Sequence, residues 1–515
     1  MKKTFISIVI AILFLSTGAS AQNDSREVTI IYTNDFHSAF DPIPAYWLKG
    51  SPRLGGAAQL TTLANQIRAR RKTTFFFDTG DMFTGQLSFL TKGEALMEMM
   101  RAMNYDAMVI GNHEFDYGAD NFERQMNRVD FPVLGANIFY KDTNNPYSRP
   151  YTIIEKDGLR VGVIGVIGQD ARSVALPSGI TNLDFADPIP VVRRWVAELR
   201  PQVDLVVVLA HQGKTGPMQT DAENRPEVQR DFDEDIRLTT EVEGIDVFVG
   251  GHAHRGIETP FVNPKTGTLI VQTYGYGTRL GYLNLQVKNG KVVSHKGELL
   301  KVWSDRLIPD ARVAKVVEKY KKLAAPSIGI VLGRLKARLV RDYNRESSLG
   351  NFVADVIREY GQADVGIENA GGLRADLPEG AVTNGNVYDA LPFVNTVTVC
   401  ELTGTQLREV IEQGLSLERG MVQVSGMKVT YDLSKPIGHR MVNAEVGGRP
   451  LDERMVYRVA VTSFLAEGGD LYTTFLKTKQ SDKGGLISEV LMDYIKRKKI
   501  VESPIGGRLI PVNKR

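Results

Sequence analysis

The chain has 515 residues, 43% of them hydrophobic and 24% charged, which is enough for two cores and excludes a disordered or low-complexity protein. A formal net charge of +3 gives no electrostatic basis for binding a nucleic-acid polymer or a membrane surface. A lone cysteine, Cys400, excludes an internal disulfide, so the cores must carry the stability.

The chain opens on Lys2 and Lys3, an apolar run over 5–15, and small residues ending in Ala19-Ser20-Ala21. That is the pattern of a cleavable signal over 1–21, too short to span a bilayer comfortably. No later stretch is apolar enough for a membrane anchor, so a periplasmic or secreted mature chain is expected. From 28 to 301, short β-rich runs alternate with helical patterns, the signature of a layered α/β fold. The predicted strands cover 28–32, 74–77, 107–110, 159–167, 205–210 and 247–249. A helix over 310–323 follows Pro309, with Val313, Val316, Val317, Tyr320 and Leu323 on one face and Pro326 as its stop. A strand near 328–332 then opens a second α/β segment. Its first helix is expected over 348–360, capped by Ser347, with Leu349, Phe352, Val353, Val356 and Ile357 facing inward. Cys400 falls in a predicted strand, 396–402, as a small buried hydrophobe.

Five of the seven histidines lie in compact polar clusters. These are Asn34-Asp35-Phe36-His37, Gly80-Asp81, Gly111-Asn112-His113-Glu114-Phe115-Asp116, His211-Gln212-Gly213 and Gly250-Gly251-His252-Ala253-His254. Each follows a predicted strand, and loops at the carboxyl ends of strands in α/β architectures gather into one site. Taken singly, each cluster is also what a turn or a surface imidazole looks like; their joint occurrence carries the inference. Asp35 and His37 are two residues apart, so an extended backbone would aim both to one side, and His252 and His254 repeat that spacing. Carboxylate, imidazole and amide donors suit zinc, manganese or cobalt. Asp81, the acid without a partner in its own motif, is the natural bridge between two ions.

In this order the motifs resemble the calcineurin-like metallophosphoesterases, and more narrowly the bacterial 5'-nucleotidase/UDP-sugar hydrolase family, over about 28–506. The resemblance implies an N-terminal four-layer β-sandwich flanked by helices over 26–305, a linker helix over 306–326, and a C-terminal α/β nucleotide-binding domain over 327–515. It implies one ion among Asp35, His37, Asp81 and His254, and a second among Asp81, Asn112, His211 and His252. It also implies a catalytic pair, His113 and Asp116, that stabilises the transferring phosphoryl group and assists the leaving group. The nucleotidase branch often carries an amide where His254 stands. The related 2',3'-cyclic phosphodiesterases tend to have Asn where this chain has Asp116, which favours the 5'-nucleotidase branch.

In the second half, Asn369-Ala370-Gly371-Gly372-Leu373-Arg374 is a glycine-bearing turn whose arginine suits an oxyanion. Arg341 and Arg345 precede the helix that Ser347 caps, where anions are also favoured. Phe393 and Phe464 are each, by themselves, more typical of core than of a base-stacking platform. The family resemblance assigns them to a base sandwich, with Asp470 as a polar contact to the nucleoside and Arg341, Arg345, Asn369 and Arg374 as phosphate or nucleotide contacts. The expected function is hydrolysis of nucleoside 5'-phosphates, with di- and triphosphates and UDP-sugars as further substrates. The alternatives are 3'-nucleotidase/cyclic phosphodiesterase activity or a catalytically silent nucleotide-binding protein.

Overall fold

The computed structural model describes residues 25–45, 48–214 and 233–512; the expected signal over 1–21 lies outside them. The first domain is built on two six-stranded sheets packed face to face. One has the order Lys291–Lys301, Arg279–Lys288, Arg26–Thr33, Thr74–Asp78, Ala107–Val109, Val133–Leu134, with its last four strands parallel. The other has Phe261–Val262, Leu269–Val271, Val247–His252, Leu205–Gln212, Leu159–Ile167, Tyr151–Lys156, with the central four parallel.

The layering follows from the two-residue period of the strands. Val28, Ile30, Tyr32, Phe75 and Phe77 of one sheet meet Val161, Val163, Leu205, Val207 and Leu209 of the other in a shared core. The alternate residues Ile31 and Phe76 pack under the helices Ala57–Arg70 and Glu94–Met103. Val206, Val208 and Ala210 do the same under the helix Pro188–Leu199. Parallel strands buried on both faces read as nearly continuous apolar runs, which is why they were visible in the sequence. Helix, sheet, sheet and helix make the four layers expected.

The helix Ala311–Ile328 is capped by Asp310, whose side chain accepts from Arg312 and Val313 N–H. It runs past its expected stop. Pro326 lies within its exposed last turn, where water can reach the Lys322 carbonyl that it leaves without a helix donor, and Gly329 N–H still closes on Ala325 O at 3.2 Å. The predicted strand near 328–332 accordingly starts later, at Val331–Leu335. Val313 and Tyr320 are buried as expected, but Leu323 is 61% exposed and Ala324 takes the inward position. The helix docks on the first domain through Lys319 and Tyr320 on Glu98 and Lys321 on Asp41.

The second domain centres on a five-stranded sheet ordered Gln423–Ser425, Val365–Glu368, Val456–Thr462, Thr396–Thr403, Lys479–Leu486. The helices Ser348–Gly361 and Ile487–Lys498 cover one face and Gly404–Leu415 the other. Ser347 caps the first of these by accepting from Gly350 N–H at 3.0 Å, and all five residues expected to face inward are buried. Cys400 is buried in its strand. No helix of the described residues is long and apolar enough to cross a membrane.

Candidate metal centre and adjoining cavity

All five polar clusters of the first domain meet at the carboxyl ends of its strands. Asp35 and His37 follow Arg26–Thr33, and Asp81 follows Thr74–Asp78. Asn112 leads from Ala107–Val109 into the turn His113–Phe115, His211 lies in Leu205–Gln212, and His252 ends Val247–His252. The seven side chains, His254 included, are each at most 7% exposed. The extended backbone expected at Asp35/His37 and His252/His254 is not what aims them. Asp35, His37, Asp81, His252 and His254 all have left-handed φ, between 45° and 68°. Each such residue costs roughly 1–2 kcal/mol against an ordinary conformation, and strain of this kind collects where chemistry demands a particular aim.

Two residues that the motif reading left without a role hold the loops together. The Glu114 carboxylate accepts from Gly111, Asp81 and Met82 N–H at 2.7–2.9 Å, and from Phe83 N–H at 3.3 Å. It thereby ties the Asp81 loop to the Asn112 loop. Asn34 donates to Asp35 Oδ2 at 2.7 Å and exchanges hydrogen bonds with the backbone of Thr273. Gly111 must be small: a Cβ there would lie 2.4 Å from Asp81 Oδ1.

The donor atoms face one another. His211 Nδ1 donates to Thr79 O at 2.7 Å, which turns Nε2 toward Asn112 Oδ1 at 3.1 Å, Asp81 Oδ2 at 3.2 Å and His252 Nδ1 at 3.1 Å. On the other side, His254 Nε2 meets His37 Nε2 at 3.0 Å and Asp35 Oδ1 at 3.2 Å. Burial works against ionising Asp35 and Asp81, yet the imidazoles of His254 and His211 around the first, and of His211 and His113 around the second, hold both well below the usual carboxylate range. Burial likewise opposes a charge on His211, but Asp81 and Asp35 push it up to about 10. A proton on His211 Nε2 can satisfy one facing acceptor, not three; a divalent cation can satisfy all of them together. The nitrogens that face the other donors are His252 Nδ1 and His254 Nε2, while the outer nitrogens of the same rings have no hydrogen-bond partner among the described residues. Among the described residues, three groups of side chains converge closely enough to hold a metal ion: Asp35, His37, His254; His37, Asp81, His113; and Asp81, His211, His252. The residues therefore fit divalent cations, with Asp81 and His37 common to adjoining groups.

Beside this cluster, His113 Nδ1 lies 3.1 Å from both oxygens of Asp116, across a short turn. Burial disfavours the imidazolium, but Asp116 and Asp81 outweigh it and raise the His113 pKa. Its other nitrogen, Nε2, is 3.9 Å from Asp81 Oδ2. Asn112, His113 and Asp116 line a cavity completed by Asn369, Arg374, Phe393, Phe464 and Asp470 of the second domain. Phe393 stacks on His113 with ring centroids 5.5 Å apart and planes 17° from parallel. Asn369 Nδ2 donates to Asp470 Oδ2 at 2.6 Å, and Arg374 reaches Tyr276 of the first domain at 3.3 Å. Arg341 and Arg345 do not line this cavity; Arg345 is exposed, and Tyr343 between them is the lining residue. Tyr343 and Asn395, also at the wall, carried no sequence signal beyond their neighbourhood.

Comparison with known proteins agrees with this architecture. The family model for calcineurin-like phosphoesterases matches residues 28–256, and that for the 5'-nucleotidase C-terminal domain matches 330–477. The crystal structure of a 5'-nucleotidase precursor from Thermus thermophilus is 30% identical, covers 95% of this chain and 100% of its own, and superposes with a TM-score of 0.84. The 5'-nucleotidase of Diplobatis ommata is 28% identical over 94% of this chain and 90% of its own length. That of Bos taurus is 28% identical over 97% and 94%. With its two matched domains, a full-length relative and a buried donor cluster that fits cations, the chain belongs to the 5'-nucleotidase family of calcineurin-like phosphoesterases and is a metal-dependent hydrolase of nucleotide phosphates.

Proposed function

We propose that the protein removes the 5'-phosphate of nucleosides with two divalent ions, and acts also on di- and triphosphates and UDP-sugars. The ions sit on residues within 26–305 and the nucleoside is held by 327–515, with 306–326 between them. Asp35, His37, Asp81 and His254 hold one ion; Asp81, Asn112, His211 and His252 hold the other, with zinc, manganese and cobalt as the metals that suit these donors. Such a pair supplies Lewis acidity toward phosphoryl oxygens and lowers the pKa of water.

The protein's own residues do the rest. Asp116 keeps His113 protonated, and His113 Nε2 offers that proton to the ester oxygen that departs. Arg374 balances charge on the phosphoryl group, its planar fork suiting an oxyanion. Phe393 and Phe464 stack the base, and the Asn369–Asp470 pair meets the polar edge of the nucleoside. Arg341 and Arg345 stand outside the cavity wall in this conformation, and their proposed role is contact with phosphates that extend beyond it. An export signal over 1–21 places the activity in the periplasm or outside the cell.

The observation that carries the reading is a single cavity whose wall joins the His113–Asp116 pair to two phenylalanines and an arginine of the other domain. Purified, Mn²⁺-loaded protein should hydrolyse AMP far faster than 3'-AMP or 2',3'-cyclic AMP. Preference for the cyclic or 3'-ester would move the protein to the phosphodiesterase branch.

A further inference from the structure

Strand Leu159–Ile167 runs parallel to Leu205–Gln212, and where it ends Gly168 N–H donates to His211 O at 2.8 Å. The short helix Gln169–Val174 starts there. It brings Asp170 behind His252, with Asp170 Oδ2 3.7 Å from His252 Nε2. The other oxygen of the same carboxylate is paired with Nη2 of Arg419, in the loop between Gly404–Leu415 and Gln423–Ser425 of the second domain. Arg419 is buried, its side chain 6% exposed, and Asp470 at the cavity wall lies within its electrostatic reach. A second contact crosses at the same edge, where Ser178 N–H donates to Glu467 at 3.1 Å.

We propose that Asp170 is a positioning residue that couples the aim of the His252 imidazole to the contact between the two domains. The ring of His252 is turned with Nδ1 into the donor cluster, 3.1 Å from His211 Nε2, and Nε2 outward to Asp170. Holding a cation through Nδ1 requires the proton on Nε2, and a carboxylate behind that nitrogen favours this tautomer and fixes the ring. Because Arg419 clasps the same carboxylate, moving the second domain away removes a contact that helps to hold Asp170 in place. Metal affinity on the His252 side and domain contact are then linked, each strengthening the other by the same factor. The inference rests on the assignment of His252 to an ion.

The test is calorimetric titration of the full-length, metal-stripped chain with Mn²⁺. Asp170→Asn should weaken one of the two sites by roughly 10- to 100-fold and leave the other in place. Arg419→Met should weaken the same site by a smaller factor. The double variant should bind within about twofold of Asp170→Asn alone, because both changes remove one linkage. Unchanged affinity at both sites in Asp170→Asn overturns the proposal. So does weakening of both sites in step with a lower melting temperature of the metal-free chain, which marks a merely structural role. Effects that multiply in the double variant overturn the coupling. If Asp170→Asn does not fold, Arg419→Met decides alone, unchanged affinity being the overturning result. A parent chain that takes up no pair of Mn²⁺ ions removes the site assignment and this inference together, whereas each preceding result removes the inference alone.

Discussion

Replacing Gly111 by alanine tests whether the aim of Asp81 is what the centre depends on. The added methyl carbon would stand 2.4 Å from Asp81 Oδ1, 2.6 Å from Asp81 N and 2.9 Å from Glu114 Oε2. Carbon contacts settle near about 3.5 Å, so relief requires a shift of roughly 1 Å. One of the crowded atoms is main chain, so the Asp81 loop itself must move. Overpacking of this kind costs about 1–3 kcal/mol of stability. A displacement of about 1 Å in a reacting constellation costs on the order of 100-fold in rate, or about 2.7 kcal/mol of barrier. Gly118→Ala is the control. Its φ is 86° with ψ 150°, a combination that essentially only glycine adopts, and no described residue lies within 4 Å of the new methyl, so it should lose about 1–3 kcal/mol of stability and little rate. AMP hydrolysis, bound-metal analysis and thermal melts on both variants separate the two effects. A Gly111→Ala protein with its full metal content and a kcat/KM within about fivefold of the parent, against the expected 100-fold loss, would refute the reasoning.

Further outcomes follow from the same geometry. His113→Ala should lower kcat by about 10²- to 10⁴-fold while bound metal, measured by elemental analysis, stays at the parent level; loss of metal would make His113 a ligand instead. Phe393→Ala and Phe464→Ala should each raise KM for AMP by about 5- to 150-fold, the equivalent of about 1–3 kcal/mol of stacking, and an unchanged KM removes the base sandwich. Burial, aided by the charge of Asp470, pushes the Glu368 carboxyl up to about 8 from its ordinary 4.5. A raised pKa means that the folded state holds the proton more tightly, so this group's contribution is complete below about 4.5 and is lost as pH rises through about 8. In urea melts, Glu368→Gln should therefore gain on the parent between about pH 5 and about pH 8.5. A constant gap across that range counts against a buried, proton-holding Glu368.

Much of the architecture was readable because apolar runs and donor clusters alternate along the chain. Strands buried on both faces, such as Leu205–Gln212, write themselves as unbroken hydrophobic stretches, and the donors follow at once in Asp35, Asp81, Asn112 and His252. The aim of those donors was not readable. Left-handed φ at Asp35, His37 and Asp81 arises from hydrogen bonds such as Asp35 N–H to Gly80 O and His37 N–H to Asp81 O, which join segments far apart in the chain. Asp170 and Arg419 escaped notice for a related reason: each is an ordinary surface residue type until the two domains meet. The helix Ala311–Ile328 shows a local rule yielding to position, since Pro326 falls in an exposed last turn where water can take the place of the donor it lacks. Tyr343, rather than Arg341 or Arg345, lines the cavity, a choice among neighbours in one loop that residue type alone does not make.

The five left-handed donors at the centre have a consequence for anyone who would move this chemistry elsewhere. Glycine would adopt those backbone shapes at least cost but has no side chain to offer, so comfort and reactivity pull against each other at every one of the five positions. Copying only the acids and imidazoles onto a regular scaffold would deliver the right groups pointing the wrong way. A working transplant must carry the whole turns, together with Glu114 and Asn34 as their ties, because the curvature of the main chain is as much a part of the reagent as the atoms it presents.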